Sequence, residues 1–161
     1  MKGEFDTLDR QLLACLQRDN LQTADRLAEQ VGRSPSAIAR RLRRLRVDGA
    51  VVADVAVLSE AAAGHPLSAI VHIQLERHVL IEGNVLRQRL VASPHVQLCV
   101  DLTGSFDIML LVVAADMEAF NGFTEVMLDN PAVRRFETSF VKKRYKATLA
   151  VPLGQASSVT A

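Results

Sequence analysis

Apolar positions in the first third of the chain recur at helical spacing. Leu8, Leu12, Cys15 and Leu16 predict a helix over residues 8–18, with Asp6 or Thr7 as its N-cap. Ala24, Leu27, Ala28 and Val31 predict a second, shorter helix over 23–31. Gly32 follows it, where a left-handed residue ends a helix without steric penalty. Ile38, Leu42 and Leu45 then lie at i, i+4 and i+7 of a third helix. Ser34 is placed to cap that helix, and Pro35 takes the first helical position, where its missing N–H is not needed. Helix, tight turn through Gly32-Arg33, capped helix is the order of a helix-turn-helix. Asp48-Gly49 signals a turn, and the valine-rich run from Val51 to Leu58 predicts a wing strand after it.

Ser59 to Pro66 is small and polar and reads as a linker, after which the period changes. Leu67–Glu76 predicts a strand and Ile81–Ala92 a helix closed by Ser93-Pro94. Val96, Leu98, Val100 and Leu102 alternate with Gln97, Cys99, Asp101 and Thr103, the pattern of a half-buried strand. Gly104-Ser105 predicts a hairpin turn into the apolar strand Phe106–Ala115. Phe120, Phe123 and Met127 mark a helix over Met117–Leu128, and Val133–Tyr145 a final strand. The order βαββαβ predicts a ferredoxin-like domain over 67–150, giving an α+β chain with a winged helix-turn-helix over 1–58, a linker over 59–66 and a frayed tail over 151–161. Both helices would cover one face of the sheet. Ile70, Leu98 and Leu110 would leave the other face too apolar to stand bare, which predicts pairing with a second copy.

Composition adds constraints. The chain has 161 residues, 49% hydrophobic and 23% charged, the balance of a globular protein. No apolar run reaches the roughly 18 residues needed to span a bilayer. The start, Met-Lys-Gly-Glu-Phe-Asp, has no apolar signal core, so a cytoplasmic location is expected. Cys15 and Cys99 lack C-x-x-C spacing and read as buried free thiols, and His65, His72, His78 and His95 are scattered as surface or strand residues rather than metal ligands. No metal or cofactor is expected.

Net charge is only +1, but its distribution is informative. Six arginines fall in residues 33–46, with no acid among them to pair within the third helix. Ser36, Arg40, Arg43 and Arg44 fall on the side opposite the apolar stripe. A guanidinium can bond phosphates or guanine edges, and a serine at a helix N-terminus can bond phosphate. Arg33, Ser34, Ser36, Arg40, Arg41, Arg43 and Arg44 are therefore the candidate contacts to double-stranded DNA.

Several short motifs occur in a telling order: Leu8-Asp9-Arg10 leading into Leu12-Leu13, Leu27-Ala28 with Val31-Gly32, Ser34-Pro35-Ser36 with the arginine-rich helix, Gly104-Ser105-Phe106-Asp107, and Ala115-Asp116-Met117. With them the chain resembles the leucine-responsive regulatory protein/AsnC, or feast/famine, family of transcription regulators over about residues 6–148. The resemblance implies a winged helix-turn-helix joined to a ferredoxin-like sensing domain, dimers that assemble further (to octamers), and a free amino acid bound in a cleft between subunits. It places effector contacts at Gly104, Ser105, Asp107, Met117, Ser139 and Phe140. In the family pattern Gly-Asp-x-Asp, Ser105 stands where the first acid would be. A glycine turn exposes N–H groups to a carboxylate, and Asp107 can accept from an ammonium; the alternative for Asp107 is a turn-capping acid, and for Met117 and Phe140 ordinary core. Two other functions fit the architecture: a siroheme-decarboxylase-like enzyme, disfavoured by the basic helix and the lack of clustered histidines, and a DNA-coating protein without an effector.

Overall fold

The computed structural model describes residues 5–59, 61–64, 66–76 and 80–153. They fall into two compact units, one within Met1–Ala56 and Ala147–Ala161, the other within Val57–Lys146. His65, His78 and the expected tail from residue 154 onward lie outside the described residues, as do parts of the expected linker.

The first unit holds α1 (Thr7–Arg18), α2 (Ala24–Val31) and α3 (Pro35–Val47). Each begins on a side-chain cap. Asp6 accepts from the Asp9 N–H at 2.7 Å, and Asp9 reaches back to the Asp6 N–H at 3.2 Å, a reciprocal capping box. Thr23 accepts from Arg26 and Ser34 from Ala37. Gly32 ends α2 at φ 66°, ψ 45°, which lets the chain turn at once into α3. Leu12, Leu27, Ile38 and Leu45 are fully buried in a shared core. Burial of such side chains stabilises by roughly 1.5–3 kcal/mol each, more than helix propensity supplies, so the apolar stripes set the helix orientations.

The expected wing strand does not form. Residues 51–59 join no strand ladder, and Val52 and Val57 are more than nine-tenths exposed. Strand preference of β-branched residues expresses packing against a neighbouring strand, and none lies among this unit's described residues to accept the ladder. Instead Arg46 bonds Asp54 at 3.0 Å. The chain rejoins this unit at its far end, where the Val151 backbone exchanges two hydrogen bonds with the Gln17 side chain (2.6 and 3.0 Å).

The second unit holds β1 (Leu67–Leu75), α4 (Leu80–Ala92), β2 (Val96–Asp101), β3 (Ile108–Ala114), α5 (Met117–Leu128) and β4 (Val133–Phe140). The strands form one antiparallel sheet in the order β2-β3-β1-β4, the ferredoxin-like arrangement. Ala69, Val71, Ile73, Ile108, Leu110 and Val112 point to the helices and pack on Leu86, Leu90, Phe120 and Phe123. Leu110 therefore belongs to the helix-covered core, not to the open face. That face carries Ile70, Met109, Leu111 and Leu98, whose positions alternate with the buried set.

Two boundaries and the burial of one cysteine differ from the sequence reading. The final strand ends at Phe140 rather than Tyr145, because the cations beyond it find no strand partner. Residues 102–107 join β2 to β3 as a six-residue loop closed by Leu102 N–H to the Asp107 carbonyl (2.8 Å), not as a two-residue turn. Cys99 is only half-buried, although burial still pushes its thiol pKa up. No described helix is long and apolar enough to cross a membrane.

Candidate nucleic-acid interface and effector residues

On α3 the arginines divide into two sets. Arg41 bonds the Asp6 and Asp9 carboxylates at 2.5 and 2.9 Å, and Arg44 bonds Asp9 at 2.5 Å. The Asp9 side chain is 1% exposed, so this is a clasp between α1 and α3 around a buried carboxylate. The Asp9 amide and Arg41 hold the Asp6 pKa below the usual value, and the Asp6 and Asp9 carboxylates push that of Arg41 up. Periodicity missed the clasp because its partners lie 32–35 residues apart. The signal that could have found it is the acid pair at Asp6 and Asp9, spaced as a capping box.

Arg33, Arg40 and Arg43 are exposed and form no ion pair among the described residues; Arg33 bonds only the Gly32 carbonyl. Ser34 and Ser36 lie 3.4 Å apart, hydroxyl to hydroxyl, at the exposed N-terminus of α3. The helix thus presents free guanidinium groups along one side and N-terminal hydroxyls at one end, with its orientation fixed from behind.

In the second unit the six candidate effector residues separate. Gly104, at φ 122°, and Ser105 are exposed in the β2–β3 loop. Asp107 is half-buried: its amide donates to Ile73 at 2.9 Å and its carboxylate accepts from the Leu75 N–H at 2.7 Å, capping the end of β1. It is a backbone-capping acid, though for a neighbouring strand rather than its own hairpin. Met117 opens α5 after β3, and Ser139 and Phe140 pair with Ile70 and Ala69 near the start of β1. By register Ser139 and Phe140 stand level with Leu111 and Val112 of β3, roughly 13–17 Å along the strand direction from Asp107, and Met117 follows the far end of β3. Phe140 packs edge-on against Phe120 at 5.2 Å but stays nearly half exposed, as does Met117. Ser139 and Phe140 line an open depression of about 420 Å3 with Ile70, Lys142, Lys143 and Tyr145.

Comparison with known proteins settles the family. The model of the AsnC-type helix-turn-helix domain matches residues 5–46, and that of the Lrp/AsnC ligand binding domain matches residues 68–151. The chain belongs to the Lrp/AsnC family of transcription regulators. It is 38% identical over 151 residues to an uncharacterized HTH-type transcriptional regulator of Sinorhizobium fredii, covering 93% of this chain and 89% of the relative. It is 31% identical to the Bkd operon transcriptional regulator of Pseudomonas aeruginosa, covering 94% and 99%. Among solved structures, a transcriptional regulator of Neisseria meningitidis in complex with L-Met superposes with a TM-score of 0.82 at 30% identity, covering 92% and 97%. An AsnC family regulator from Agrobacterium tumefaciens superposes at 0.84 with 26% identity, covering 91% and 96%. The helix-turn-helix of this Lrp/AsnC protein is accordingly its DNA-binding element.

Proposed function

We propose that this chain is a cytoplasmic, homo-oligomeric regulator that reads an operator with the exposed side of α3 and changes its assembly on binding an amino acid. Arg40 and Arg43 reach base edges and phosphates, Arg33 and the Ser34 and Ser36 hydroxyls hold phosphate, and Arg41 and Arg44 orient the helix from behind. The carrying observation is this division of labour: buried Asp9 ties two arginines down while Arg40 and Arg43 are left to solvent. No catalytic step enters this reading.

The test uses an operator isolated by in vitro selection from a random duplex pool. Arg40→Ala and Arg43→Ala are each expected to weaken binding by about 1–3 kcal/mol where the arginine reads a base, with relaxed specificity at that position. A phosphate contact would instead lower affinity for all sequences alike. Unchanged affinity in both variants would remove α3's exposed side from the readout.

For the effector, pairing through the open sheet faces supplies the missing half of the site. One chain keeps Asp107 four to five strand residues from the level of Ser139 and Phe140 and farther still from Met117, more than one free amino acid spans, so a pocket using both draws them from different copies. L-methionine is the first probe, because the similar Neisseria regulator was solved with it. Assembly mass is measured by light scattering with each of the twenty amino acids. Asp107→Asn keeps an acceptor for the Leu75 amide but removes the negative charge that would meet an ammonium. It is expected to abolish the mass response while leaving the thermal transition and operator binding unchanged. A retained response would move the ammonium site elsewhere.

A further inference from the structure

We propose that Lys142, Lys143, Arg144 and Lys146 form a second DNA-contacting strip, which holds phosphates of the duplex that α3 reads; it rests on the DNA-binding reading above.

Charge is sharply segregated within the second unit. Residues 57–141 carry five basic and ten acidic residues, whereas Lys142-Lys143-Arg144-Tyr145-Lys146 carries four cations and no acid in five positions. Elsewhere among the unit's described residues Arg87 is engaged with Asp101, Arg135 with Glu137 and Gln74, and Arg89 with the Val126 carbonyl, which leaves Arg134 as a lone exposed cation. All four cations of the segment are exposed, and none forms an ion pair among the described residues. Among the described residues Arg144 bonds only the Ser68 hydroxyl (3.1 Å). Like charges crowded together with no counter-charge repel one another, and an anion bound among them relieves that repulsion.

Position favours DNA as that anion. The segment follows β4 and ends where the chain passes from the second unit back to the DNA-binding unit, at Lys146 and Ala147. Five residues further on, within the DNA-binding unit, Val151 is tied to Gln17 of α1. A regulator whose sensing unit is otherwise acidic would meet repulsion from a long duplex there, and this strip reverses the sign locally. Tyr145 is 87% exposed between two cations, with Lys143 Nζ stacked 4.9 Å from its ring centre, and its hydroxyl is a further donor to phosphate oxygen.

The experiment measures binding of the full chain to a fluorescein-labelled 60-bp duplex of mixed sequence between 50 and 200 mM salt. Each phosphate contact contributes about −0.9 to the slope of log Kobs against log salt. The quadruple variant K142Q/K143Q/R144Q/K146Q is expected to make the slope shallower by about 2–4 per protomer, with an unchanged thermal transition. The triple variant K142R/K143R/K146R, which keeps the charge, is expected to retain the wild-type slope. Arg134→Gln removes one exposed cation outside the strip and reports the effect of net charge alone. An unchanged slope in the quadruple variant, or a loss per charge no greater than that of Arg134→Gln, overturns the proposal. Failure of the underlying reading looks different: the wild-type chain would not bind the duplex at 50 mM salt, or R40A/R43A would bind the selected operator as well as wild type.

Discussion

Replacing Arg41 and Arg44 together by alanine is expected to destabilise the helix-turn-helix unit by about 3–5 kcal/mol, the largest effect of any surface substitution on α3. The reason is an asymmetry in the clasp. Asp9 is 1% exposed, whereas the Arg41 and Arg44 side chains are 30% and 49% exposed. Removing the carboxylate frees two arginines that can turn into water. Removing the arginines strands a carboxylate with one backbone N–H as its remaining partner. Asp9→Asn is therefore expected to be milder, and Asp9→Leu added to the double alanine variant should recover most of the loss, since an apolar side chain suits the same buried site. Urea unfolding followed by circular dichroism gives the energies, and peptide-resolved hydrogen exchange places the loss in residues 7–47. A double variant with the wild-type midpoint would release both arginines from the structural role and return them to the DNA-facing set.

The clasp also marks where sequence reasoning stops. Asp6, Gly32, Ser34 and Pro35 were legible because a cap or a left-handed residue is a local event, decided within four positions. The helix-period stripe of Ile38, Leu42 and Leu45 was equally local, and it set which side of α3 faces out. The pairing of Asp9 with Arg41 and Arg44 depends on how α1 crosses α3, so the run of arginines read as one uniform DNA-facing set. The wing strand failed for the converse reason: Val51–Leu58 carries the local signal of a strand, but a strand exists only with a partner. In the second unit the βαββαβ order was legible from alternation and turn residues. Leu110 was misassigned because an almost continuous apolar run does not reveal which alternate set faces the helices. The effector residues were matched by order along the chain, and order does not show that strand length separates Asp107 from Phe140.

Leu111→Glu should collapse the proposed assembly while sparing the fold of the protomer. Leu111 stands on β3 between Ile70 and Leu98, at the middle of the sheet face that no helix covers. It is half-buried in the single chain, so a glutamate there keeps access to water until a second copy arrives. In a two-fold interface through this face the same carboxylate would enter from both copies, and the residues level with it on the sheet, Leu98, Ile70 and Ser139, offer no cation. An unpaired buried charge costs several kcal/mol, which corresponds to about a thousandfold or more in the dimer dissociation constant. Light scattering should then report monomers at micromolar concentration, with a thermal transition for each unit still present. Operator binding should fall as well, because two tethered heads gain about 10²–10⁴ in avidity over one. A loss of mass that stops at dimers would assign Leu111 to contacts between dimers. An unchanged mass would show that the open face is not where copies meet, and the shared effector pocket, which depends on the same pairing, would fall with it.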